Sequence, residues 1–127
     1  MKARLTAAFA ALALAGATAA PALAHHSFAM FDFQASKTVT GTVEQFYWTN
    51  PHTFIWLQVP TGANGATERY GFEGMSPNYL GRRGWSKSTL KPGDKVTVTY
   101  HPLKDGSKGG TYQKVQLQDG KELANIG

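Results

Sequence analysis

The chemistry on offer in this 127-residue chain centres on four histidines. His25 and His26 stand side by side, His52 follows "TNP", and His101 precedes Pro102. There is no cysteine, so thiolate ligands, disulfides and a lipidated anchor are not available. No Ser-His-Asp order, nucleophile elbow, HExxH or phosphate-cradling glycine motif is present. Of the 8 acidic residues, Asp94 and Asp105 sit in turn signals, while Glu44 and Glu73 fall on strands. The chain reads as non-catalytic, with imidazole as its distinctive ligand.

What His25 can do depends on whether it begins the working chain. Lys2 and Arg4 open the sequence, Leu5 to Ala20 carries no charge, and Pro21 breaks that apolar run. Ala22-Leu23-Ala24 then offers the small-x-small pattern a signal peptidase accepts, so residues 1–24 read as a cleaved signal peptide. About 16 apolar residues fall short of the roughly 20 that span a bilayer, which argues against a retained anchor. Export to the periplasm with His25 first follows as the expectation. Removing Lys2 and Arg4 takes the basic residues from 13 to 11 against 8 acidic ones, so the net charge falls from +5 to +3. That is no nucleic-acid footprint.

A first-residue histidine has an α-amine with a pKa near 8 beside an imidazole near 6.5. The amine and its own Nδ1 close a six-membered chelate on one cation, and nitrogen-rich tetragonal sites favour copper(II). His26 adds a second imidazole. His52 or His101 would complete a site, and the strand order below places them at opposite ends of a barrel, tens of ångströms apart at roughly 3.3 Å per residue. The expected set is His25, His26 and His52, with copper(II) or a similar transition metal as the ligand. The alternative is a solvated terminus, with His52 bonding a backbone carbonyl and His101 on the surface.

The rest of the chain must position these groups. Residues 37–48 alternate as a strand, "TNP" breaks it, and 52–59 and 66–74 form a second and third strand. Ser76 as N-cap with Pro77 at the first helical position predicts a short helix closed by Gly84. Residues 95–101 and 111–123 read as two last strands around a glycine-rich loop. Three strands, a helix and two strands (β-β-β-α-β-β) is the order of an all-β, five-stranded OB-like barrel. A small open β-sandwich is the alternative. The expected organisation is a tail over 25–36 and one β domain over 37–127.

Four landmarks carry a resemblance: "HHSF" at 25–28, "WTNPH" at 48–52, "SPNYLGRRGW" at 76–85 and "LKPGDKVTV" at 90–98. Together they resemble a family of small exported bacterial proteins with one β-rich domain and no assigned function. The resemblance implies export and a compact β domain, and implies no activity or ligand. The processed start is also similar to periplasmic copper-handling proteins whose chains begin with histidine, through that single position.

Alternation makes one further expectation. With Ile55, Leu57 and Val59 inward, Phe54, Trp56 and His52 face outward. With Val39 and Val43 inward, Phe46 and Trp48 face outward too, unless a β-bulge swaps the parity. Phe46, Trp48, Phe54 and Trp56 would then form one external aromatic patch, a site for a protein or saccharide partner in the envelope. Phe28, Met30, Phe31 and Phe33 are apolar enough to cover it instead. Arg82 and Arg83 either complement the helix C-terminus or bind an anion, and Trp85 reads as a plug beneath the helix.

Overall fold

The fold was obtained as a computed structural model that describes residues 28–126. The expected leader over 1–24 and the His25–His26 pair lie outside the described residues. Six strands follow one short turn of 3₁₀ helix at Phe28–Met30: β1 Lys37–Tyr47, β2 Phe54–Pro60, β3 Thr67–Glu73, β4 Lys95–Pro102, β5 Gly109–Gln116 and β6 Glu122–Ala124. Helix α1, Pro77–Gly81, lies between β3 and β4.

The sheet order is β3-β2-β1-β4-β5-β6, and a parallel β3–β5 pairing closes the first five strands into a barrel. This is the expected OB-like arrangement, with β6 as an added strand; the open sandwich does not form. Alternating Thr and Val build β1 against β4. The valines face the interior, while Thr38–Thr99 and Thr40–Thr97 pair their hydroxyls outside, at 3.3 and 2.8 Å. Ile55, Leu57, Phe72 and Val98 are fully buried at the centre.

Closure depends on glycine. Gly71 pairs with Gly109 and Phe72 with Gly110. Gly109 sits at φ +126°, a conformation that favours glycine, and a Cβ there would overlap the carbonyl oxygen of Gly71. A Cβ at Gly110 would overlap the carbonyl oxygen of His101. Two strands of the same barrel are thus brought together by residues without side chains.

The last long strand expected over 111–123 is instead two. Asp119-Gly120, with Gly120 at φ +89°, turns the chain so that β6 folds back antiparallel on β5. The helix starts as expected: Ser76 Oγ accepts the backbone N–H of Tyr79, and Pro77 takes the first turn. It ends at Gly81, and Gly84 at φ +86° completes the exit. Trp85 is 3% exposed, its ring 6.0 Å from Phe46 and 5.6 Å from Tyr112, and its Nε1 donates to Ala124 O at 2.9 Å. It plugs the barrel and pins β6 in one contact set.

Tyr112 shows how the interior handles polarity. Its ring lies where a side chain at residue 74 would be, which is why Gly74 stands there. Its hydroxyl is 2.7 Å from Thr53 Oγ1, which itself donates to Met75 O at 2.9 Å. The threonine proton being committed, the phenol is the donor between them. Burial pushes the Tyr112 phenol well above its ordinary range.

Candidate metal-ligating site

The two described histidines differ in what their ring nitrogens do. His101 has both engaged. Nδ1 is 2.7 Å from Ala35 O and can only donate there, so Nε2 is the acceptor, taking a hydrogen bond from Gln113 Nε2 at 2.9 Å. Gln113 Oε1 in turn accepts from Ser36 Oγ at 2.7 Å. The chain of donors is consistent from end to end, and Phe33 packs on the ring at 5.0 Å. His101 ties residues 33–36 to β4 and β5 and has no lone pair to spare.

His52 is arranged otherwise. Thr53 and the 74–75 segment exchange backbone hydrogen bonds: Thr53 N–H to Met75 O at 3.1 Å, Gly74 N–H to Thr53 O at 2.9 Å. That ladder sets the His52 ring against the next chain. Nδ1 lies 3.1 Å from Gly74 O and 3.5 Å from Glu73 Oε1, with the side chain 39% exposed. The carbonyl requires Nδ1–H, leaving the Nε2 lone pair without a partner among the described residues. A ring held through one nitrogen by a carbonyl or carboxylate, with the other free, is the usual posture of a metal-ligating histidine.

The expected distance between His52 and His101 needs correction. Glu73, which touches His52, pairs with Thr111, and Thr111 pairs with His101. Two rungs of about 4.8 Å separate the Glu73 and His101 backbones, not the length of a barrel. Closure of the barrel staggers its strands, so that only β5 separates the end of β3 from the end of β4. His52 is therefore preferred over His101 for its free nitrogen and not for its position. Among the described residues no three metal-ligating side chains converge, two of the three expected ligands lying outside them.

The aromatic patch also needs correction. A bulge between Val43 and Gln45 shifts the register, so Phe46 pairs with Ile55 and Tyr47 with Phe54. Phe46 and Trp48 consequently turn to the core side, 5.8 Å apart, and pack against the Trp85 region. Phe54 and Trp56 stay outside at 4.9 Å. The chain covers those two itself. The Arg69 guanidinium lies 3.7 Å over the Trp56 ring, and it is held there by Glu44, the bulged residue, at 2.7 Å. Hydrogen bonds from Arg69 and Gln58 hold the Glu44 carboxyl below its ordinary range. Met30 and Phe31 share with Phe54 and Glu73 a cavity of about 170 Å³.

That second cover is the described part of the tail. Phe31 bridges to Leu103, Asp32 N–H donates to Pro102 O at 2.8 Å, and Lys104 N–H to Met30 O at 3.0 Å. Phe31 is 4% exposed, and burying such a ring contributes roughly 1.5–3 kcal/mol, enough to offset ordering a residue or two. Phe28 and Phe33 remain exposed.

A protein-family model matches residues 12–114, a stretch that runs from before the histidine pair into β5. The chain belongs to the family of unknown function DUF6152. No characterised protein and no solved structure matches it. In this DUF6152 domain every carboxylate has a task. Asp32, Asp94, Asp105 and Asp119 each accept a backbone N–H two or three residues away in a turn. Glu44 holds Arg69, Glu68 holds Lys108, Glu122 holds Lys114, and Glu73 lies against His52. The Arg83 guanidinium stacks on the Tyr79 ring at 3.8 Å, just beyond the end of α1.

Proposed function

We propose that this DUF6152 domain is a non-catalytic binding protein of the cell envelope that takes copper(II), or a similar transition metal, through the processed terminus. The ligands are the His25 amine and Nδ1, a His26 nitrogen, and His52 Nε2. The observation that carries the reading is the state of His52: Nδ1 is committed to Gly74 O and Glu73, and Nε2 is uncommitted. His101, with both nitrogens bonded, has no such vacancy. Two things support a binding role over catalysis. Seven of the 8 carboxylates are engaged in turns or ion pairs and Glu73 lies against the His52 ring, while the outer aromatics are covered by Arg69 and by the chain's own residues 30–31.

The test is a copper(II) titration of the chain beginning at His25, with and without His52→Ala. Loss of a mere outer-shell partner lowers metal affinity by roughly 10–100-fold, so loss of the His52 ligand is expected to cost at least that, with the fold retained. Equal affinity in the two proteins would remove His52 from the site.

A further inference from the structure

A separate feature lies at the end of the barrel where α1 runs into β4. Residues 82–95 hold five of the chain's 13 basic residues, Arg82, Arg83, Lys87, Lys91 and Lys95, and only one of its 8 acidic ones. All five are exposed. Arg69, Lys108 and Lys114 each pair with a carboxylate, whereas none of these five has one within ion-pair distance among the described residues, and neither do the scattered Lys37, Lys104 and Lys121. The single acid, Asp94, is committed to its own turn, where Oδ2 accepts Lys91 N–H at 2.8 Å. Asp119 borders the recess beside Lys95, which weakens that lysine's contribution to the patch.

Between Lys87 and Lys91 runs a groove of about 560 Å³ with Phe46, Leu90 and Pro92 among its lining. An apolar floor flanked by ammonium groups suits a ligand that is anionic at one end and apolar at the other. Lys87 and Lys91 line this groove, Lys95 lines a different recess, and Arg82 and Arg83 line neither, whereas a site for a single small anion would gather them around one cavity. They are spread over an exposed segment, which favours a surface bearing many negative charges. We infer that this end of the barrel docks on an anionic phospholipid bilayer, with Lys87, Lys91, Arg82 and Arg83 meeting headgroups and the Phe46 groove facing the acyl boundary. The contact is peripheral and independent of the metal reading.

The experiment is co-sedimentation of the chain beginning at His25 with vesicles of phosphatidylglycerol mixed into phosphatidylcholine, and with phosphatidylcholine alone. Binding to the anionic vesicles only, weakened by high salt, is expected. Each basic residue near such a surface is worth roughly a fivefold change in partitioning, so Lys87→Gln with Lys91→Gln should weaken binding roughly 25-fold. Lys37→Gln with Lys104→Gln, which removes the same charge far from the groove, should leave it unchanged. Three results would overturn the inference: equal binding to phosphatidylcholine alone, equal losses in the two double variants, or binding to a soluble polyanion with none to vesicles.

Discussion

Acetylation of the His25 α-amine is expected to weaken copper(II) binding by roughly 10²–10⁴-fold, the range over which two linked donors exceed one acting alone. The proposed site begins with a chelate that exists only when His25 carries a free amine. The acetyl group converts that nitrogen into an amide, whose lone pair is delocalised, and leaves no other free amine beside the two histidines. The imidazoles of His25, His26 and His52 would all survive the change. A large loss therefore separates the chelate from simple histidine richness, because a site made of imidazoles alone would titrate the same in both proteins. Isothermal titration, or competition with a chelator of known affinity, reads the difference. The pH course provides a check on sign: the amine must lose its proton to bind, so affinity should rise with pH through the region near 8.

The second large effect concerns the fold that holds His52 in place. Gly109→Ala is expected to cost more than about 3 kcal/mol. Two penalties meet at that position. A non-glycine residue at φ +126° costs on the order of 1–3 kcal/mol. The new Cβ would also overlap the Gly71 carbonyl oxygen, and backbone cannot move aside as a flexible side chain can. Gly62→Ala is the matched control. It too has positive φ, +82°, but nothing lies within 4 Å of the new methyl. Only the conformational term applies there, about 1–2 kcal/mol. In a domain of this size each kcal/mol moves the midpoint by roughly 4–8 °C, so thermal unfolding should place the Gly109 variant more than about 12 °C below the parent and the Gly62 variant well above it. Similar midpoints for the two would mean that the β3–β5 seam contributes little to stability.

How far the sequence reached can be argued from a few residues. The barrel order was legible because Thr-Val alternation in 37–43 and Ile55-x-Leu57-x-Val59 declare their faces, and Ser76-Pro77 is a self-contained helix start. The patch failed at Glu44. Phe46, Tyr47 and Trp48 are three consecutive aromatics, so after the bulge neither parity is polar and alternation loses its meaning. The bulge itself leaves a trace only in three dimensions, where Glu44 reaches Arg69 and Gln58. The expected separation of His52 and His101 failed because neighbouring strand ends in a closed barrel are set by stagger, and stagger is not written in any one strand. A signal was available in Gly109-Gly110, whose missing side chains mark close backbone approach. The Asp119-Gly120 turn could likewise have divided the last strand.

The His52 posture was beyond sequence in another way. A histidine after Asn-Pro predicts a turn, and a turn histidine can bond a carbonyl through either nitrogen. Which nitrogen is used decides whether the residue is a structural tie or an available ligand. The structure gives Nδ1 to Gly74 and Glu73, in contrast to His101, where Ala35 and Gln113 occupy both.

The central claim is that one metal ion joins the chain terminus to the first hairpin. Pulsed electron paramagnetic resonance of the protein with one equivalent of copper(II) tests it directly, because the remote nitrogen of each coordinated imidazole leaves its own modulation. His52→Ala should remove the contribution of one imidazole while that of the terminal chelate persists. A spectrum unchanged by the substitution would contradict it.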